Sequence, residues 1–573
     1  MTHIYVDLDK IDWEPFLTSQ DGGGKSDILE GNRYFQGTRY QRGFGLLGNV
    51  GRFLMPLVRN LATSAGQEAV NVGKNVLEDV SQGRSVTEAI KQHGSEGLQK
   101  VGKKLQQCGK GKRKRKSKDK IIIENIMKKQ RRHRDQLKGV DNRLTFFSIP
   151  STNVGIQRSA YKELLPLNAL NQSAGPFIFR YFGDSLYLDM SKTYFSLILS
   201  LERKDKNGEW IPITDDAGDF IGDKHTGVAQ YLGLTWIRRL TLSINGVQCY
   251  DSGIHYAYRC IILHELGANR DVSKGLYEAA LYYKDAVDKN DFEGAGFKAR
   301  ASRFAKGMTC RLFSHLDYDL ARQNQLLIPN SDVIWTIYKT QMNFLFTLLN
   351  LNYRLRLHDM RIFVKQVDLS MSLNNAIARH LEQAPAKYAY RKIEIRSVFL
   401  GKGRQEITHA AFTSTCPRRL VICFVSSGAF TGQAATSPFT FEHANLRSVA
   451  AEFGGFQFPS VPYDLDFNND SFVRAYVDMY MGMDLDMWPN SDQRTLSIGM
   501  KEFSKSSCFF VIPMTSTLED TNGLELIRQG TTTVRCLFNQ PVKDEGYEMI
   551  IFGEFDAILS INADRVLSTD GSV

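Results

Sequence analysis

The stretch GPFIFRYFGDSLYLDMSKTYFSLILSLERKDKNGEW, residues 175–210, decides the fold. Phe195, Leu197, Leu199 and Leu201 alternate with Tyr194, Ser196, Ile198 and Ser200. That period of two predicts a strand with one strongly buried face. Lys206-Asn207-Gly208 then supplies a turn, because Asn and Gly accept the positive φ that a tight hairpin needs. The stretch reads as three short strands closing in a hairpin.

Downstream the same style continues. Leu240, Leu242 and Ile244 alternate with Arg239, Thr241 and Ser243; Asn245-Gly246 turns the chain, and Val247 and Cys249 return on the same face. A helix follows, with Asp251 or Ser252 as cap and Ile254, Ala257, Tyr258 and Ile261 as its apolar stripe. Residues 267–310 are a polar excursion, and strands resume near 309–316, 333–338 and 353–369. Leu373, Ile377 and Leu381, between a cap at Ser370 or Ser372 and a stop at Pro385, predict a short linker helix. A second β unit opens at Tyr388, with Ile393 and Ile395 alternating. It continues through RLVICFV (419–425), SFVRAYVDMYMG (471–482), CFFVI (508–512), TVRCLF (533–538) and MIIFGEFDAILSIN (549–562), with a second polar excursion at 483–505.

Each unit holds about eight strands, the count of a jelly roll, two antiparallel sheets face to face. The fold class is therefore mainly β, two antiparallel jelly rolls in tandem, a double jelly roll. No internal repeat is visible in the sequence, so the duplication rests on the pattern of elements.

Residues 1–43 read as disordered and 44–107 as helical. Leu46, Leu47, Val50, Phe53, Leu54, Leu57, Val58 and Leu61 share one helical face, and Pro56 kinks that helix. A second helix opens at the capping box Ser85-x-x-Glu88. A lysine-rich helix of this kind lies in a membrane interface or packs against protein, and the sequence leaves both open. Residues 108–144 form a basic linker. The domains read as 1–43, 44–107, 108–144, a first jelly roll at 145–369, a linker helix at 370–386 and a second jelly roll at 387–573.

The net charge of +10 is local. Residues 110–138 carry 14 Lys/Arg against 3 Asp/Glu, and the remainder 58 against 59. Two clusters stand out, Lys112, Arg113, Lys114, Arg115 and Lys116, then Lys128, Lys129, Arg131, Arg132 and Arg134. Their spacing suits a bipartite nuclear import signal or an arm that neutralises phosphate. No aromatic residues interleave with the lysines, so base stacking is not indicated. The eight cysteines are scattered with no C-x-x-C pair, which points to reduced thiols and no zinc site. No apolar run approaches ~18 residues, and the acidic Met1–Ser19 lacks the order of a secretory signal. The sequons at Asn171 and Asn469 are therefore expected to go unused.

Catalytic patterns are weak. GGGKS (22–26) lacks the earlier glycine of a phosphate loop, position 19 being serine. His264-Glu265 is followed by Ala268 where a zinc-protease helix needs histidine. His315-Leu316-Asp317, with His358 or His380, has the spacing of the iron triad found in jelly-roll oxygenases. Eleven histidines make such a dipeptide spacing common by chance.

The segments PLNALNQSAGPFIFRYFGDSLYLDMSKTYF (166–195), RLTLSINGVQCYDSGIHYAYRCIILHEL (239–266), CRLFSHLDYDLARQNQLLIPN (310–330), AIARHLEQAPAKYAYRKIEIR (376–396) and GEFDAILSINADR (553–565) resemble a capsid-protein family of Polinton (Maverick) elements. These are virus-like DNA transposons related to adintoviruses and adenoviruses. The resemblance spans about residues 145–570. It implies a major capsid protein whose double jelly roll trimerises into a capsomer and assembles with minor (penton) proteins, in a virion built in the host nucleus, without secretion, catalysis or cofactor. The two-unit count favours the major over the minor, penton-type protein; a domesticated relic is a further alternative. More remote are a host nucleic-acid-binding protein and the iron oxygenase.

Residues 35–66 resemble a different product of such elements, a small basic amphipathic protein similar to adenovirus core and membrane-lytic peptides. The junction is either a genuine fusion or two reading frames joined. The resemblance implies a membrane as partner of residues 44–61, packaged DNA as partner of the basic arm, and a viral cysteine protease. Gln107-Cys108-Gly109-Lys110/Gly111 and Gln20-Asp21-Gly22-Gly23/Gly24 fit the cleavage patterns of adenovirus-type proteases, and cuts there would release residues 24–110.

Overall fold

Nine strands fold between residues 156 and 369: β1 (Ile156–Leu164), β2 (Phe177–Tyr181), β3 (Tyr187–Lys204), β4 (Trp210–Pro212), β5 (Ile237–Ile244), β6 (Val247–Asp251), β7 (Cys310–His315), β8 (Val333–Lys339) and β9 (Tyr353–Leu369). They are seen in a computed structural model that describes residues 155–170, 175–212, 227–267, 275–284, 294–346, 353–433, 437–485, 496, 498–515, 524 and 528–570. All described residues belong to one packing unit. One sheet runs β1-β9-β3-β4, with β7 also on β3, and the other runs β2-β8-β5-β6.

The local causes are those read from the sequence. Phe195, Leu197 and Leu199 point into the sandwich and are buried, whereas Tyr194, Ser196 and Ile198 on the other face are partly exposed. The β3–β4 hairpin turns at Gly208 (φ +86°), and the Asp205 carboxylate accepts from the N–H groups of Asn207 and Glu209. Asn245 and Gly246 take φ of +50° and +81° between β5 and β6, the backbone that an Asn-Gly hairpin turn requires.

The second half repeats this arrangement. Its strands are β10 (Ala386–Leu400), β11 (Glu406–Phe412), β12 (Arg419–Ser426), β13 (Leu446–Phe453), β14 (Phe456–Phe458), β15 (Phe510–Pro513), β16 (Thr532–Phe538), β17 (Tyr547–Ile561) and β18 (Leu567–Asp570). One sheet runs β10-β17-β12-β15, with β18 added to β17, and the other β11-β16-β13-β14. Substituting β10, β17, β12 and β15 for β1, β9, β3 and β7, and β11, β16, β13 and β14 for β2, β8, β5 and β6, reproduces the topology of the first half. The chain is a double jelly roll. β4 and β18 are the additions that break the repeat.

The longest helices among the described residues are α1 (Tyr256–Glu265), α2 (Ala295–Ser302), α3 (Met371–Gln383) and α4 (Val473–Gly482). α1 comes after a 3-10 turn whose Gly253 N–H donates to the Asp251 carboxylate. Of the residues expected on its stripe, Ala257, Tyr258 and Ile261 are buried, but Ile254 precedes the helix and is exposed. α2 lies inside the first polar excursion. α3 joins the two rolls as the spacing of Leu373, Ile377 and Leu381 predicts, and it stops before Pro385.

The strand expected at 471–482 is instead α4. Ala475, Met479 and Gly482 recur at helical spacing and are buried against the roll. Their period of three to four prevails over the strand preference of Val, Tyr and Phe.

Candidate functional site at the joint of the two jelly rolls

α1 contributes one residue, Tyr258, to the contact between the two rolls. Its apolar residues Cys260, Ile261 and Ile262 are buried, and it packs on β5 of its own roll. Tyr258 instead reaches the second roll. Its ring stacks on Phe430 at 5.4 Å with 15° between planes, and meets Phe439 and Phe441 edge-on at 5.7 and 6.4 Å. Phe344 of the first roll closes the cluster against Tyr258 and Phe439. Such tilted and offset pairs add to the stabilisation that burial alone provides.

Beside this aromatic cluster lies a buried set of charges. Arg259, 2% exposed, places Nη2 3.0 Å from Asp317 Oδ1 and Nη1 2.7 Å from Asp319 Oδ1. Arg322 Nη2 lies 2.5 Å from Asp317 Oδ2. Burial alone would push the Asp317 carboxyl up, but Arg322 and Arg259 more than offset it, so that carboxyl sits below the ordinary carboxylate range. For Asp319 burial prevails over Arg259 and the N–H of Ile393, and its carboxyl sits above its ordinary value. That N–H belongs to β10 and donates to Asp319 Oδ2 at 3.4 Å, so the charge set of the first roll holds the first strand of the second.

Further bonds cross the joint. Tyr388 Oη accepts from Ile328 N–H at 3.1 Å, and Arg565 Nε donates to Pro329 O at 2.8 Å. Asn245 Nδ2 donates to Arg565 O, so the β5–β6 turn is itself tied to the second roll. His255 Nε2 lies 3.1 Å from Ser397 Oγ on β10, and burial followed by the nearby Arg396 lowers its pKa to about 4. At the far end of α1, His264 is caged by Tyr277, Tyr282 and Tyr231 at 4.0, 4.2 and 4.9 Å between ring centres. Burial lowers its pKa to about 4 as well.

The residues of the iron-triad pattern do not converge. His315 Nε2 lies 2.9 Å from Ser191 O, His358 Nε2 lies 2.7 Å from Ser200 Oγ, and both Asp317 oxygens face arginines. His380 stands on α3. Among the described residues no cluster of three His, Cys, Asp or Glu is placed to hold a metal ion. Glu265, the acid of the His-Glu pair, is bound by Lys284 at 2.8 Å and by the Tyr282 hydroxyl.

The basic clusters at 112–116 and 128–134, the amphipathic face at 46–58 and the cleavage positions Gly23, Gly24, Lys110 and Gly111 all lie outside the described residues. Sequence reasoning missed Arg259 and Asp319. One signal was present, a lone cation inside the apolar run YAYRCIIL (256–263), which demands a buried anionic partner.

No known family model matches the chain. An uncharacterized protein of Caenorhabditis elegans is 27% identical over 427 residues, covering 73% of this chain and 98% of that protein. Among solved structures, a chain of the Sputnik virophage covers 76% of this chain and 92% of its own length at 12% identity, with a TM-score of 0.51. The mavirus major capsid protein covers 75% of this chain at 11% identity, with a TM-score of 0.41. The likeness to the Sputnik chain is one of fold, and the fold they share is the double jelly roll described above.

Proposed function

We propose that the chain is a structural capsid protein, the major one of a Polinton-like element, and that copies of it associate as a homotrimer into a capsomer. The observation that carries this reading is the duplicated topology, with a charged and aromatic joint between its halves. Two units of like strand order are joined through the Arg259–Asp319 ion pair and the Tyr258–Phe430 stack. The fold likeness to a chain of the Sputnik virophage supports it, as does the family resemblance along 145–570. Association with minor capsid proteins and residence in a virion follow from the same reading.

On this reading the basic clusters at 112–116 and 128–134 serve nuclear entry or contact with packaged DNA, because clustered lysine and arginine neutralise phosphate independently of sequence. The face at 46–58 is assigned to a membrane surface, and Lys110/Gly111 with Gly23/Gly24 to proteolytic release of that segment. Mass spectrometry of assembled particles that finds only the intact chain removes this last assignment.

The test is light scattering behind size exclusion on the full chain, with negative-stain images of the peak. Particles of about three times the 64.9 kDa chain mass with a six-sided outline are expected. A monomer at every concentration overturns the capsomer and favours a domesticated relic.

A further inference from the structure

The two rolls end differently. After β9 the chain passes directly into α3, whereas after β17 it turns back through residues 562–566 and adds β18. β18 pairs with β17, Leu567 opposite Ile561 and Asp570 opposite Ile558, and among the described residues it has no counterpart in the first roll. The turn is closed by its own bonds. Arg565 N–H donates to Asn562 O at 3.1 Å, and Val566 N–H donates to Asn562 Oδ1 at 2.9 Å.

From this turn Arg565 reaches the first roll twice. Its Nε donates to Pro329 O at 2.8 Å, and its carbonyl accepts from Asn245 Nδ2 at 3.0 Å. Both partners are themselves held. Asn245 N–H donates to Asp332 O and Asp332 N–H donates to Asn245 Oδ1, each at 2.8 Å. The Asp332 carboxylate accepts from Nε and Nη2 of Arg180 on β2, both at 2.9 Å. The residue before Pro329 is bound from β10, where Tyr388 Oη accepts from Ile328 N–H at 3.1 Å. A relay of hydrogen bonds thus runs from β2 through Asp332 and the β5–β6 turn into the turn after β17. The backbone along this contact is unusual as well. Asn245, Asn330 and Arg565 have φ of +50°, +60° and +65°. Asparagine tolerates that left-handed region, but arginine is seldom found there. Such backbones persist where the surrounding contacts over-determine them, and clamps are among the places where they gather. A glycine would relax the turn at Arg565 but would forfeit the bond to Pro329.

We infer that the turn at 562–566, backed by β18, is a latch that holds the second roll to the first and that closes only once residue 565 has been made. β18 fastens the turn to β17, Arg565 is the bolt, and Asn245 with the carbonyl of Pro329 is the catch. Chains that stop short of Arg565 then carry the strands of both sandwiches but leave the joint between them unlocked. The latch acts within one chain and does not depend on the capsomer reading.

The experiment is amide hydrogen exchange on the full chain, read by mass spectrometry of its peptides. Arg565→Gly and Asn245→Gly each keep a residue that accepts the left-handed backbone, so each removes side-chain bonds and leaves its turn intact. The N–H groups of Ile328 and Ile393 bond across the joint to Tyr388 and Asp319, and neither substitution touches them. Peptides holding these two amides are expected to exchange roughly fivefold faster in either variant, the factor that one lost hydrogen bond of ordinary strength implies. Peptides from inside the sandwiches, 197–201 of β3 and 549–552 of β17, are expected to keep wild-type rates. A chain truncated after Asn562 is expected to show the same pattern. Wild-type exchange at Ile328 and Ile393 in both glycine variants overturns the latch. Faster exchange at every peptide alike, sandwich interiors included, overturns it too, because the turn would then serve the stability of the whole chain and not the joint.

Discussion

Tyr258 of the first jelly roll stacks on Phe430 of the second, 5.4 Å between ring centres and 15° between planes. The Tyr258 hydroxyl is buried without a hydrogen-bond partner among the described residues, so the residue acts through its ring. Tyr258→Ala is expected to destabilise the chain by about 3–5 kcal/mol, the cost of emptying a large aromatic site. Tyr258→Phe, which removes an unpaired buried hydroxyl, is expected to be at least as stable as the wild type. Urea denaturation midpoints of the two variants check the pair.

Arg259 holds two buried carboxylates. Arg259→Met leaves Asp319 without a cation while Asp317 keeps Arg322, and a cost of about 3–5 kcal/mol is expected. Adding Asp319→Asn removes the orphaned acid and should recover a large share of the loss. A double-mutant cycle on denaturation midpoints measures it; strict additivity of the two changes would show that the pair does not act as one.

Gly432 ends the short helical turn Ser427–Thr431 at φ +84°. A Cβ there would lie 2.8 Å from Phe344 N and 2.9 Å from Asn343 C, backbone atoms of the first roll. Gly432→Ala therefore combines a left-handed backbone penalty of roughly 1 kcal/mol with a clash across the joint. Loss of stability above that figure, read by thermal melting, is the expected outcome; a change below it means that the rolls shift without resistance.

Acid should destabilise the packing at both ends of α1. His255 and His264 are held near 4 by burial, whereas an imidazole in the unfolded chain titrates near ~6.5. Between those values the unfolded chain binds more protons, so stability falls as pH drops through that window and is level above it. The Asp317 contribution, from a carboxyl below its ordinary range, is lost at lower pH still. Denaturation midpoints across pH 4–7 should lose most of their slope in the double variant His255→Gln, His264→Gln.

The hairpins were legible because their turns are dictated by backbone chemistry: Asn245-Gly246 and Asn207-Gly208 leave few other options. β3 was legible because the first-roll sheet is open on one side, which enforces alternation at 195–201. β12 is buried throughout, from Arg419 to Ser426, so it shows as an apolar run without a face. α4 was misread because Val473, Val477 and Met481 keep its outer side apolar, which hides the helical period. β11, β13 and β14 were missed; the outward positions of β11 and β13 carry Glu406, Thr408, Arg447 and Glu452, ordinary surface chemistry that gives a weak strand signal. The charge set at Arg259 comes from residues 58 to 60 positions apart in sequence, and pairings at that distance leave no local trace.

The order in which the chain leaves the ribosome gives the joint a further significance. β1 pairs with β9 some two hundred residues later, Leu164 opposite Ile362, so the first roll closes only once residue 369 has been made. Its Tyr258 face and the Asp319 carboxylate then await β10 and the Phe430–Phe441 segment. At ~5–20 residues per second those seventy-odd residues take roughly 4–14 s. During that interval a nascent chain with a finished first sandwich displays a sticky, charged flank, and this is the period in which chaperone capture or entanglement with a neighbouring nascent chain competes with correct docking.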